Sequence, residues 1–198
     1  MPAELEELIA ALGRGEVVVI PTDTVYGLAA RVDIPEAIER IFELKNRPSD
    51  KPLPVLASSL DALSGVAAFD DRARTLADSF WPGPLTLVVN RAAGFTVDLG
   101  VGGEDTVGVR VPEHELTRRL LELCGPLAVT SANPSGEPAA TNAEMATELF
   151  PDLLVLDGGP GDGQPSAVVS LVGPPQILRS GSLEQRLVAV LKLEDPSG

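Results

Sequence analysis

The residues able to do chemistry in this 198-residue chain fall into four short polar segments. Pro21-Thr22-Asp23-Thr24-Val25-Tyr26-Gly27-Leu28 puts hydroxyls, a carboxylate and a turn glycine directly after an apolar run. Such groups can hold a small polar ligand, and they also make an ordinary turn leaving a strand. Lys45-Asn46-Arg47-Pro48-Ser49-Asp50-Lys51-Pro52 sets two ammonium groups and a guanidinium on proline-stiffened backbone, which can clamp a phosphate or simply face solvent. No Walker-type glycine spacing occurs and no G-x-G-x-x-G follows a strand, so any nucleotide here depends on cationic side chains more than on backbone amides. Thr130-Ser131-Ala132-Asn133-Pro134-Ser135-Gly136 is either a polar platform for a phosphate or ribose, or a Ser/Asx turn closing a strand. Last come Arg110, inside the apolar run Val107–Val111, together with Ser166 and Arg179. An arginine between two valines must point into solvent or find an anion, because burying it alone is prohibitive.

Composition narrows the chemistry. The formal net charge of −14 argues against broad neutralisation of a nucleic-acid backbone. Positive charge is concentrated instead, since Lys45 and Lys51 flank Arg47, which suits one small anionic ligand. With a single cysteine, Cys124, and a single histidine, His114, a zinc site of the usual Cys/His type cannot be built. Cys124 reads as a buried helical thiol and His114 as a surface or capping residue opening a helix. No apolar stretch is long enough to span a bilayer, and the Glu-rich start does not resemble a signal peptide. A cytoplasmic protein is expected.

The elements that must position these segments alternate between helix and strand. Apolar spacing predicts helices over 3–13, 35–46, 70–80, 114–123, 142–150 and 183–193. Short apolar runs predict strands at 17–20, 55–57, 85–90, 106–111, 127–130, 153–156, 167–171 and 177–178. A glycine-rich loop covers 94–103. The pattern predicts one α/β domain over 1–193, an open, twisted, mostly mixed sheet with flanking helices, and a flexible tail at 194–198. In such sheets ligands bind where polar loops leave the strand ends.

Taken in this order, the four segments resemble the YrdC family, the L-threonylcarbamoyladenylate synthases, from about Glu4 to about Leu191. The strings P-T-D-T-V-Y-G-L, K-x-R followed by K-P-L, S-A-N-x-S-G and the late L-R-S-G carry the likeness together. It implies a YrdC-like fold and a nucleotidyltransferase of the short, single-domain form. L-threonine and bicarbonate would give an N-carboxy-threonine that attacks ATP, producing threonylcarbamoyl-AMP and pyrophosphate. A partner transferase complex would then modify adenosine 37 of tRNA, with direct tRNA contact weak or indirect. The resemblance implies catalytic roles for Lys45, Arg47 and Lys51. It implies ATP contacts from Arg47, Lys51, Thr106, Ser131, Asn133, Ala139 and Arg179. L-threonine would meet Thr24, Leu56, Arg110, Val129 and Ser166, with Arg110 on its carboxylate. Mg²⁺ would accompany ATP, and no protein metal ligand is expected.

Three positions depart from the common family pattern. Ala167 replaces a frequent threonine, which implies a missing hydroxyl near the threonine pocket; Leu56 replaces a residue that is often polar or aromatic, and the region around Ala139 lacks a frequent serine. One other reading is an RNA-binding or ribosome-maturation module of the same fold without adenylate synthesis, disfavoured by the acidity. Another is a carbamoyl-adenylate enzyme of hydrogenase maturation, which resembles this domain only within larger chains carrying zinc-finger and acylphosphatase regions.

Overall fold

The structure is a computed structural model that describes residues 3–46, 51–100 and 105–191. Arg47, part of the 94–103 loop, the end of the last expected helix and the expected tail at 194–198 lie outside the described residues.

The strands are β1 (Val18–Ile20), β2 (Gly27–Arg31), β3 (Val55–Leu56), β4 (Leu85–Asn90), β5 (Thr106–Arg110), β6 (Leu127–Ser131), β7 (Ala167–Ser170) and β8 (Gln176–Arg179). They form an eight-stranded sheet ordered β1-β2-β6-β3-β5-β4-β7-β8. The β3–β5 and β4–β7 pairs are parallel and the others antiparallel, so the sheet is mixed. The helices are α1 (Ala3–Gly13), α2 (Pro35–Lys45), α3 (Asp71–Phe80), α4 (Glu115–Cys124), α5 (Ala143–Leu149) and α6 (Glu184–Leu191).

Local chemistry sets several boundaries. Asp70 caps α3 by accepting from the Ala73 N–H at 2.8 Å, and Asn142 caps α5 through Met145 N–H at 2.8 Å. His114 takes the expected capping role on α4, accepting from Thr117 N–H through Nδ1. Cys124 is half-buried at the end of α4, where burial pushes its thiol pKa up.

Alternation along the strands separates two faces. Val55, Leu85, Leu87, Val89, Val107, Val109, Ala128, Ala167 and Val169 enter the larger core, to which α2, α3, α5 and α6 also contribute side chains. On the other face, Val18, Ile20, Ala29, Leu56, Leu127 and Val129 pack with the apolar stripes of α1 and α4. That second core covers the sheet from β1 to β3, and among the described residues no helix covers the face beyond.

Two expected elements differ. Gly27 and Leu28, the end of the first polar segment, form β2 together with residues 29–31, which had no expected element, because pairing with β1 and β6 overrides their mostly small side chains. The expected strand at 153–156 makes only an isolated parallel bridge, Val155 to Val19, with bonds Val19 N–H to Leu154 C=O and Leu156 N–H to Val19 C=O. It covers the outer edge of β1. Ala167 is also corrected: it is fully buried in the larger core, so a hydroxyl there would face away from the open side.

Candidate active site

The open half of the second face bounds a cavity of about 490 Å³. Its floor consists of alternate strand positions: Thr86 and Val88 on β4, Thr106, Gly108 and Arg110 on β5, and Val168 on β7. Gly108 leaves the floor low, since a Cβ there would stand 3.4 Å from Pro54 and 3.5 Å from the Thr86 methyl. Leu56 and Val129 belong to both the covered core and the cavity, and so form the wall between them.

Arg110 is buried, at 5% exposure. Its guanidinium donates through Nε to Gly83 C=O at 3.0 Å, through Nη1 to Thr24 Oγ1 at 3.0 Å and through Nη2 to Asp23 Oδ1 at 2.6 Å. Asp23 is therefore the anion that this arginine required. Burial still pulls the Arg110 pKa down, with the Asp23 charge opposing it. Three of about five guanidinium N–H groups are engaged, leaving two for an incoming carboxylate. Asp23 Oδ1 also accepts from Glu113 N–H at 3.1 Å, while its buried Oδ2 has no partner among the described residues.

The Thr22–Thr24 turn is fixed from two sides. Thr22 Oγ1 accepts from the backbone N–H groups of Thr24 and Val25 at 3.1 and 3.2 Å and lies 2.9 Å from Thr24 Oγ1. From outside, Gly163 N–H donates to Thr24 C=O at 2.9 Å. Gly161 has to be glycine here, because a Cβ would meet Thr24 C=O at 2.4 Å.

Of the sequence-predicted residues, Thr24, Leu56, Thr106, Arg110, Val129, Ser131, Ser166 and Arg179 all line this cavity. Arg179 stands at the rim on the edge strand β8 and donates to Ser166 C=O and Oγ at 2.7 and 3.1 Å. Partial desolvation lowers its pKa.

Lys45 is placed differently. It is 1% exposed and lies behind the cavity wall, donating to the carbonyl oxygens of Ser131 and Asn133 and to Asn133 Oδ1. Ser131 Oγ donates to Asn133 Oδ1 at 2.6 Å, and Asn133 Nδ2 donates to Glu137 C=O at 2.7 Å. Lys45 and Asn133 thus shape the turn that presents Ser131 to the cavity. Ala139 is half-buried in the following loop and is not among the lining residues. Lys51 is exposed at the mouth, next to the lining Pro52, and Arg47 lies outside the described residues.

Sequence reasoning passed over Asp23, Thr86 and Gly108. Asp23 sits within a segment already singled out, so its charge beside hydroxyls was the available signal. Thr86 and Gly108 become significant only once pairing places them beside Arg110 and Ser166.

A mixed α/β sheet that gathers two guanidiniums and a set of hydroxyls around a cavity on one face defines an α/β protein with a cationic, hydroxyl-lined cavity. Residues 10–181 match the sequence model of the Sua5/YciO/YrdC family, described as "Telomere recombination", and the chain belongs to that family. It is 42% identical over 175 residues to the threonylcarbamoyl-AMP synthase of Pyrococcus abyssi, covering 85% of this chain and 51% of that protein. With the human threonylcarbamoyl-AMP synthase it shares 37% identity over 202 residues, covering 95% of this chain and 71% of the relative. The solved structure of Pyrococcus abyssi Sua5 with L-threonine superposes with a TM-score of 0.88 at 39% identity, covering 94% of this chain and 56% of that one. The chain thus spans about half the length of the Pyrococcus protein.

Proposed function

We propose that this protein forms L-threonylcarbamoyl-AMP and pyrophosphate from L-threonine, bicarbonate and ATP, as the activated donor for threonylcarbamoylation of adenosine 37 in tRNA. The observation that carries this reading is Arg110, held by Asp23, Thr24 and Gly83 in the floor of a hydroxyl-rich cavity. Support comes from the relatives named threonylcarbamoyl-AMP synthase and from the fold shared with a protein solved with L-threonine.

On this reading, the free donors of Arg110 take the L-threonine carboxylate and the Thr24 hydroxyl lies alongside. Leu56, Val129 and the other apolar walls exclude water, which favours a neutral amine and prolongs a carbamate. The amine nitrogen bonds to the bicarbonate carbon and water leaves. A carbamate oxygen then bonds to the α-phosphorus of ATP as the bond to the β-phosphate oxygen breaks, releasing pyrophosphate. Arg47, Lys51 and Arg179 offset the phosphate charge, Thr106 and Ser131 hold the nucleotide, and Lys45 and Asn133 position the Ser131 turn. Confining three small reactants supplies much of the acceleration. The described residues contain no group of three or more acidic, His or Cys side chains suited to a metal. Mg²⁺ would enter with the ATP phosphates, as is usual for this ion.

The adenylate passes to a transferase complex in the cytoplasm. No helix among the described residues is long and apolar enough to cross a membrane. The RNA-binding alternative gains nothing from the cavity, which is small and set in a protein of net charge −14. The test is pyrophosphate release from ATP with Mg²⁺ and bicarbonate, with and without L-threonine, and mass spectrometry of the adenylate. Threonine-dependent release with threonylcarbamoyl-AMP is expected. Folded protein that releases none would overturn the reading.

A further inference from the structure

Segments far apart in the chain hold Asp23 against Arg110, and the single histidine, His114, joins two of them. Its ring caps α4, with Nδ1 accepting from Thr117 N–H at 3.4 Å. A backbone N–H can only donate, so Nδ1 carries no proton and the neutral ring bears it on Nε2. Nε2 lies 3.2 Å from Gly158 C=O and donates to it. The approach is close on the backbone side as well. A Cβ on Gly158 would stand 2.6 Å from His114 Cε1 and 2.6 Å from Pro21 Cγ, so only glycine lets the chain come this near the ring.

Both segments that meet at this ring continue to Asp23. On the α4 side, Glu113, next to His114, donates its N–H to Asp23 Oδ1 at 3.1 Å. On the other side, residues 157–165 form a loop that leads to the cavity. Tyr26 Oη accepts from Gly158 N–H at 3.2 Å, so side-chain rings hold both polar groups of that glycine. Farther along, Asp162 N–H donates to Asp23 C=O at 3.3 Å and Gly163 N–H to Thr24 C=O at 2.9 Å. The loop ends at Pro165, which lines the cavity beside Ser166. Asp162 also adds its charge to that of Asp23 in favouring the cationic form of Arg110. Asp23 is thus held by its carboxylate from one segment and by its carbonyl from the other. The His114–Gly158 bond ties those two supports together. Misplacing a substrate-positioning group by about 1 Å is costly, so the tie matters for function as well as for folding.

We propose that His114 is a positioning residue: it braces the 157–165 loop against the start of α4 and so sets where the Asp23–Arg110 pair presents its free donors. This role rests on the reaction proposed above and gives His114 no contact with substrate. Capping alone does not require the second ring nitrogen, since Asn, Asp and Ser are preferred helix caps.

The two nitrogens can be tested separately in the full chain. Asn places an acceptor near the Nδ1 position and is too short to reach Gly158, whereas Gln carries an N–H about as far out as Nε2. His114→Asn therefore keeps the cap without the brace, and His114→Gln keeps a donor for the brace with a poorer cap. The Thr117 hydroxyl donates to Pro21 C=O independently, which helps hold the start of α4 in both variants. Threonylcarbamoyl-AMP formation is followed while L-threonine and ATP are varied separately, with Tm measured on the same samples. His114→Asn is expected to raise the KM for L-threonine about fivefold, with the KM for ATP within about twofold and Tm near wild type. His114→Gln should recover most of that KM while lowering Tm. Gly158→Ala, which forces the loop off the ring, should raise the KM for L-threonine as His114→Asn does. An unchanged KM for L-threonine in His114→Asn and Gly158→Ala would overturn the proposal. So would a KM that tracks Tm and is worst in His114→Gln, or equal rises for L-threonine and ATP. Wild-type protein that makes no adenylate overturns the functional reading instead, which separates that failure from a failure of the brace.

Discussion

A cross-strand row on one sheet face runs from Leu127 through Leu56, Arg110, Thr86 and Val168 to Arg179, and its surroundings change partway along. At the Leu127 end α1 and α4 lie on the sheet, and the residues they cover are aliphatic. Past Leu56 the face is open, and alternate positions carry hydroxyls, Gly108 and Arg110. Both halves share the pleat and the same kind of ladder. What stacks on the face decides whether a polar side chain there is a penalty or a tool. Under helices it would lose water without a partner, whereas beside a cavity it keeps donors for a ligand.

Substitutions can break this contrast, and the largest effect is expected on the open half. Arg110→Leu removes two charge-assisted donors and should lower threonine-dependent pyrophosphate release by about a hundredfold or more. It also leaves the Asp23 charge unpaired at a cost of about 3–5 kcal/mol, so rates are to be compared per folded molecule. Activity within a few-fold of wild type would place L-threonine elsewhere.

Leu127→Ala is the counterpart under the helices. Deleting this fully buried side chain should cost about 2–5 kcal/mol by urea unfolding while leaving turnover per folded molecule within about twofold. A large loss of kcat in folded protein would show that the two halves are not separable.

Asp23→Asn sharpens the account of the open half. The amide still fills the space but loses the ion pair to Arg110. The KM for L-threonine should rise about three- to tenfold and the KM for ATP stay unchanged, read by initial rates over each substrate. A change confined to ATP would assign Asp23 to the nucleotide instead.

The smallest effect lies away from both halves, at Asp70. The Ala73 N–H, and then Arg72, hold its carboxyl pKa below the ordinary value. A lowered folded-state pKa stabilises at pH above the unfolded value and is lost as pH falls through the lowered one. Wild type should therefore lose slightly more Tm than Asp70→Asn between about pH 6 and pH 2, because the amide caps without titrating. Parallel Tm profiles would remove the cap from the acid response.

Much of this was legible in the sequence because local rules apply strongly here. Helical spacing and caps placed most helices within a few residues, and aliphatic runs marked most strands. The first polar segment led to the cavity because Thr22 and Thr24 bond within their own turn. β2 was missed because Gly27, Ala29 and Ala30 have low strand preference, and the strand exists through its pairing with β1 and β6. Lys45 was grouped with Arg47 and Lys51 by the clustering of charge and by the family resemblance, whereas its burial and its carbonyl partners depend on α2 ending beside the 131–135 turn. Ala167 was assigned to the wrong face because one residue of strand parity decides between core and cavity.

By itself the sequence determined the acidic character, the α/β alternation, the clustered cations and the four polar segments that mark the family, since these depend on residue identity and short-range order. Only the tertiary structure decided that Asp23 neutralises Arg110, that Thr86 joins Ser166 and Arg179, and that half of one sheet face borders a cavity instead of a helix among the described residues. Those are contacts between residues far apart in the chain, made when strands meet in one register and helices cover one half of a face.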